Sequence, residues 1–315
     1  MITSLSFISL ALLLLFFGAE GLVRGSSSLA LRAGLSRLMV GLTIVAFGTS
    51  SPELVVSVKA ALTQQGDISV GNVVGSNVFN IGVILGITAL LCPIPVHRQI
   101  IRIDAPIALG VACLMIVLFQ DYRFDRIEGA MLVLGFIAYT VMNVVLARKE
   151  AKTSDVDVEE QALPGKSKHW MVDVCLILAG MAILVMGSRL LVEHSIILAR
   201  AFGVSEAVIG LTIIAAGTSM PELATSVVAA LRKQPDIAIG NVVGSNVFNI
   251  LAILGVSSVI SPIHAPGISW VDAAVMIGFT VLLIPLLYTG RLLHRLEGLL
   301  LLALFGVYLY FLWPH

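Results

Sequence analysis

The sequence predicts an all-α integral membrane protein, with ten transmembrane helices in two inverted five-helix repeats. Three observations carry that expectation. Only 12% of the 315 residues are charged, about half the share of a soluble domain, while 58% are hydrophobic and the mean hydropathy is +1.03. Apolar runs of roughly 20 residues, the length that crosses a bilayer core, recur along the whole chain. An eleven-residue string occurs twice, at an offset of 169. So much apolar chain leaves only short loops and no room for an extramembrane domain of ordinary size. The composition excludes a soluble enzyme, a nucleic-acid binder and a disordered chain.

In order, the spans run over residues 3–23, 38–62, 69–91, 103–120, 127–147, 170–192, 206–231, 238–260, 270–289 and 296–313. Each is bounded by charges, glycine or proline. The first has no basic leader and no small-residue cleavage site, so it is expected to be a retained span. Residues 1–147 form the first five-helix repeat, 148–169 a polar cytoplasmic linker, and 170–315 the second repeat. Loops after odd-numbered spans hold most of the basic residues, among them Arg24, Arg32, Arg98, Arg102, Arg232 and Lys233. The positive-inside rule puts these loops in the cytoplasm and both termini outside. Cys92, Cys113 and Cys175 lie in or beside apolar runs without metal-ligand spacing and read as packing residues.

The repeat decides the architecture. Residues 71–81 and 240–250 both read GNVVGSNVFNI. At the same offset, residues 40–62 and 209–231 are identical at 16 of 23 positions. Asp67 pairs with Asp236, Pro93 with Pro262, and Arg126 with Arg295, so the repeat covers nearly the whole chain. Five spans per half is an odd number, so the second half enters the membrane upside down. Secondary transporters are built this way, with the binding site near the midplane between the repeats.

The segments Gly48-Thr49-Ser50-Ser51-Pro52-Glu53 and Gly217-Thr218-Ser219-Met220-Pro221-Glu222 fall in the middle of spans 2 and 7. A carboxylate at that depth costs several kcal/mol unless satisfied, and is functional by default. Pro52 and Pro221 cannot donate to the carbonyls four residues back, which frees carbonyls near Ala46–Gly48 and Ala215–Gly217. Irregular backbone at this depth is tolerated where it lines a cavity or is buried in protein. Thr49 and Glu53 share a helix face, as do Thr218 and Glu222. In spans 3 and 8, Ser76 shares a face with Asn80, and Ser245 with Asn249. Asn72, Asn77, Asn241 and Asn246 add amides that could bind or only pack. Gly71, Gly75, Gly240 and Gly244 permit close helix contact. The set is all oxygen, which suits hard cations such as Ca²⁺ and Na⁺ and not zinc or copper. Ser57 and Ser226 read as packing or back-bonding residues. Asp67 and Asp236 read as helix N-caps.

These paired GTSxPE and GNVVGSNxxN motifs resemble the cation/calcium exchanger superfamily, most closely its compact prokaryotic sodium/calcium exchangers with two inverted α-repeats. The resemblance covers nearly the whole chain. It implies a secondary antiporter that exchanges Ca²⁺ for Na⁺ across a prokaryotic plasma membrane. It implies a calcium site of Glu53, Glu222, Thr49 and Thr218. It implies sodium sites that add Ser50, Ser219, Ser76, Ser245, Asn80, Asn249 and the carbonyls of Ala46 and Ala215. Calcium, sodium and the lipid bilayer are then its partners, with no cofactor and no enzymatic activity; nothing in the chain specifies an oligomeric state. Potassium-dependent members carry Asp where Asn249 stands, so potassium independence is expected. The alternative is a calcium/proton antiporter on the same scaffold, although SPEL and MPEL do not fit the GNxxE motifs of that branch. Spans 1 and 6, apolar and bearing Gly18, Gly21, Gly180 and Gly187, are expected to slide over the core.

Overall fold

A computed structural model of the chain describes residues 2–153, 169–202 and 215–312. Its helices are α1 (Ile2–Ala33), α2 (Arg37–Thr49), α3 (Ser51–Leu62), α4 (Gly66–Leu91), α5 (Ile100–Asp121) and α6 (Arg126–Thr153) in the first half. The second half has α7 (Trp170–Ala201), α8 (Ala215–Thr218), α9 (Met220–Leu231), α10 (Pro235–Ile260), α11 (Trp270–Tyr288) and α12 (Arg295–Leu312). Among the described residues, 8 helices are long and apolar enough to cross a membrane, or 9 if α2 and α3 are one broken span. The segment expected at 206–231 is described only from Ala215 onward; its first part lies outside the described residues.

Helix lengths depart from the sequence expectation where charge was read as loop. α1 and α7 each run for 32 residues, roughly 48 Å at the α-helical rise. Arg24 and Arg32 lie inside α1, and each has a carboxylate partner. Arg24 pairs with Glu20 one turn back, and Arg32 with the buried Asp173 of α7 at 2.6 Å. Likewise α6 continues to Thr153, into the expected linker, whose residues 154–168 lie outside the described residues.

Polar pairs and small residues set the packing. Tyr139 donates to Asp104 Oδ1 at 3.0 Å, and Tyr308, its match at the offset, donates to Asp272 Oδ1 at 2.9 Å. These bonds join α5 to α6 and α11 to α12. The expected N-caps are not seen at Asp67 and Asp236, which sit one residue inside helices that begin after Gln65 and Gln234. Asp67 instead accepts the Gly267 amide proton at 2.8 Å. Short antiparallel pairs tie the loops: β1 (Ile94–Pro95) to β4 (Leu292–Leu293), and β2 (Arg123–Phe124) to β3 (Ile263–His264). Exchanging the halves at the offset of 169 maps one pair onto the other.

α10 is wholly enclosed and α4 largely so, while α6 and α12 turn most of their surface outward. The glycine-rich motif helices therefore form the centre. On one side of them lies a separate pair, α1 against α7, with backbones in contact. A Cβ on Gly180 would fall 2.6 Å from the Leu22 nitrogen, and one on Gly18 2.9 Å from the Leu184 nitrogen. Only glycine allows this approach.

Candidate functional site

Pro52 breaks the second span. The ring removes one helical hydrogen bond and crowds the preceding turn, and α2 meets α3 at 46° with Ser50 at the bend. Ser219 has nearly the same backbone angles between α8 and α9. The carbonyls freed by proline are those of Gly48 and Gly217. Neither is left open: the Ser51 hydroxyl donates to Gly48 O at 2.6 Å, and the Ser188 hydroxyl of α7 to Gly217 O at 2.5 Å. Ala46 differs from the expectation of a freed carbonyl. Its oxygen accepts the Ser50 amide proton at 3.1 Å and the Thr49 hydroxyl at 3.4 Å. Ala215 opens α8 at the edge of the described residues.

The carboxylates of Glu53 and Glu222 are each 1% exposed. Each is held by a hydroxyl from the other half: Ser50 donates to Glu222 Oε1 at 2.7 Å, and Ser219 to Glu53 Oε1 at 3.1 Å. Those hydroxyls also touch the motif helices, Ser50 with Ser245 at 3.0 Å and Ser219 with Ser76 at 3.2 Å. Thr49 donates to Asn241 Oδ1 at 3.1 Å and Thr218 to Asn72 Oδ1 at 3.4 Å. Every one of these contacts recurs when the halves are exchanged.

The amides that the sequence left open have structural work. Asn72 donates to the Glu53 carbonyl at 3.2 Å and to Ser57 at 2.9 Å. Asn241 donates to the Glu222 carbonyl at 3.3 Å and to Ser226 at 3.0 Å. Ser57 and Ser226 are thus turned to these asparagines, in line with the packing role expected of them. Asn80 donates to Asn246 Oδ1, and Asn249 to Asn77 Oδ1, both at 2.9 Å. These bonds use the nitrogens of Asn80 and Asn249 and leave their oxygens open. Both residues begin a wide, π-helical turn, Asn80–Leu85 and Asn249–Leu254, a distortion frequent at functional sites.

On the carboxylates and amides at this centre, four buried oxygens have no hydrogen-bond partner among the described residues: Glu53 Oε2, Glu222 Oε2, Asn80 Oδ1 and Asn249 Oδ1. A buried acceptor without a donor costs about 1–3 kcal/mol, more when charged. All four come from matched helices of the two halves and are acceptors that no protein donor satisfies. The donor chemistry, carboxylate, amide carbonyl and hydroxyl, is that of hard cations. Of the twelve residues expected as ligands, Thr49, Ser50, Glu53, Ser76, Asn80, Ser219, Glu222, Ser245 and Asn249 are buried at this centre, and Thr218 is half-buried beside it.

A cavity of about 380 Å³ lies between α2, α6, α7 and α10, with Thr43, Ala46 and Phe47 in its wall. A cavity of about 480 Å³ lies between α3, α7 and α8, with Ser51, Arg189, Glu193 and Thr218 in its wall. Glu20 of α1 bridges Arg24 and Arg232, the latter at 2.7 Å, and Ser27 donates to Gln234 at 2.6 Å. α1 is thereby fastened to the end of α9 and to the turn that follows it.

Sequence and structure comparisons point one way. Residues 3–145 and 172–313 match the family described as sodium/calcium exchanger protein. CaxA of Alkalimonas amylolytica, whose name gives it provisionally as an antiporter, is 40% identical over 317 residues, 99% of each chain. The sodium/calcium exchanger MaX1 of Methanosarcina acetivorans is 33% identical over 342 residues, covering 95% of each chain. Among solved structures, the sodium-calcium exchanger NCX_Mj superposes with a TM-score of 0.84 at 30% identity over 99% of both chains.

Proposed function

The chain belongs to the sodium/calcium exchanger family, a multi-pass membrane antiporter of the cation/calcium kind, and from that premise we propose that it exchanges Ca²⁺ for Na⁺ by alternating access, without potassium. The observation that carries this reading is the set of four partnerless oxygens on Glu53, Glu222, Asn80 and Asn249. In the proposed arrangement, Glu53 and Glu222 with Thr49 and Thr218 hold Ca²⁺. Ser50, Ser76, Asn80, Ser219, Ser245 and Asn249, with the Ala46 and Ala215 carbonyls, serve Na⁺. The Ala46 carbonyl serves an ion once the long Thr49 hydroxyl contact, 3.4 Å, gives up its lone pair.

The chemistry of exchange follows from charge. Two carboxylates bring a charge of −2, which one Ca²⁺ or two Na⁺ neutralise, so the ions compete for one centre. An empty centre carries bare carboxylates, and taking these through an enclosed, low-dielectric state costs several kcal/mol. The switch between access states therefore proceeds when ions neutralise the centre, and exchange is obligatory. Asn249 contributes an oxygen without a charge, and this supports potassium independence.

Ten spans in two inverted five-helix repeats, 1–147 and 170–315 joined by a cytoplasmic linker, complete the proposal. It is supported by the hydrogen bonds and strand pairs that recur when the halves exchange. In this reading both termini lie outside a prokaryotic inner membrane, which the excess of basic residues after odd-numbered spans supports. α1 and α7, in backbone contact, slide as a unit past the centre. Ca²⁺ uptake into proteoliposomes loaded with Na⁺, K⁺ or acid tests the coupling ion. Uptake should need an outward Na⁺ gradient. Uptake driven by acid alone would transfer the protein to the calcium/proton reading.

A further inference from the structure

The two proline-freed carbonyls are matched in sequence but satisfied from different places. Gly48 O accepts from Ser51, in its own segment; Gly217 O accepts from Ser188, on α7. At the offset of 169, Ser51 corresponds to Met220 and Ser188 to Ala19. Methionine cannot donate a proton, and neither can alanine. Each half thus supplies one hydroxyl for one carbonyl, but the first half keeps it inside the site helix. The second half keeps it on the α1–α7 pair.

We propose that Ser188 is a positioning residue for transport, which fixes the Gly217 carbonyl beside Thr218 and Ser219 and latches the α1–α7 pair to the second half of the site in one access state only. This rests on the reading that the pair moves past the centre. A shift of α7 by one or two ångströms takes the Ser188 hydroxyl out of bonding range, and the buried Gly217 carbonyl loses its donor. Nothing equivalent forms at the other half: Ala19 has no hydroxyl, and Gly48 O is already satisfied by Ser51. The two access states of an otherwise two-fold molecule are therefore unequal. A buried hydrogen bond of this kind is worth a factor of about ten in the equilibrium between them. Ser188 also lies in the wall of the cavity with Gly217 and Thr218, where a hydroxyl lost to alanine leaves the carbonyl facing an apolar methyl.

The test uses the full chain with spin labels on two exposed side chains, Ile197 of α7 and Leu62 of α3. Cys92, Cys113 and Cys175 are first replaced. Distances between the labels are measured in Na⁺, in Ca²⁺ and without either. Ca²⁺ binding is measured alongside. Wild type should show two distances. In Ser188→Ala the minor one should gain about tenfold in relative population, and Ca²⁺ binding should weaken. Ser188→Thr, which keeps the hydroxyl, should match wild type. The double variant Ser188→Ala/Met220→Ser places the hydroxyl where the first half has it. It should recover Ca²⁺ binding yet keep the shifted distance ratio, because the carbonyl is capped but the latch is gone. A purely structural serine would lose or recover both together. If wild type shows two distances and Ser188→Ala leaves their ratio unchanged, the latch is wrong and the moving pair stands. One distance under every ion condition would overturn the moving pair, and the latch with it.

Discussion

Asn246 makes no direct claim on an ion, yet its removal should weaken cation binding through Asn80. Its side-chain oxygen accepts the Asn80 amide at 2.9 Å, and this bond turns the partnerless Asn80 oxygen away from Asn246. In Asn246→Ala the buried Asn80 nitrogen loses its acceptor, at a cost of about 1–3 kcal/mol. Asn80 can recover part of that only by rotating its amide, which removes its oxygen from the site. If about half of the cost appears in binding, Ca²⁺ affinity falls roughly tenfold, since 1.4 kcal/mol is a factor of ten. Because Asn246 acts through Asn80, the effects should not add. The double variant Asn80→Ala/Asn246→Ala should bind Ca²⁺ no more weakly than Asn80→Ala alone, within about 0.5 kcal/mol. Titration calorimetry of the purified protein gives all four corners of the cycle. Fully additive losses would show that Asn246 contributes independently, and would refute the placing of Asn80 by its neighbour.

Other consequences are as direct. Ser57→Ala should leave Ca²⁺ affinity within about twofold of wild type, because its hydroxyl serves Asn72 and the Ser69 carbonyl; calorimetry checks this. Gly180→Ala should destabilise the protein by about 1–3 kcal/mol, the usual cost of overpacking, since its Cβ would stand 2.6 Å from the Leu22 nitrogen. Thermal unfolding in detergent reads that change. Glu20→Gln should speed hydrogen exchange over the second half of α1 while lowering global stability by under about 1 kcal/mol. Its partners Arg24 and Arg232 are 60% and 45% exposed, so solvent screens the pairs.

The parts of the molecule that depend on composition and repetition were legible in the sequence. Span positions follow from hydropathy, and Glu53 and Glu222 stand out because ionisable groups at that depth are rare. The internal repeat supplied a second copy of each motif, so one copy tested the other. What was hidden depends on partners far apart in the chain. Glu20 and Arg24, one turn apart, are a pair the local spacing offers, whereas the Arg32–Asp173 and Arg232–Glu20 pairs lie in packing between distant segments. The amides of Asn72 and Asn77 could not be told from ligands without knowing which oxygens they face. The carbonyls near Ala46–Gly48 were expected to be freed together, but Ala46 keeps its bond from the Ser50 amide and the one freed by Pro52 is that of Gly48. Ser188 gave no signal as a lone serine in an apolar run. The mismatch of Ser51 with Met220 shows in the sequence only that the two halves need not be equivalent.

The central claim is that one carboxylate-lined centre binds Ca²⁺ and Na⁺ in competition. Equilibrium ⁴⁵Ca²⁺ binding to the purified protein, titrated with Na⁺ or K⁺, tests it most directly. Wild type should release Ca²⁺ to Na⁺ but not to K⁺ at matched ionic strength, and Glu53→Gln and Glu222→Gln should each lose binding. Undiminished Ca²⁺ binding in both variants, or displacement by K⁺ as effective as by Na⁺, would contradict the account.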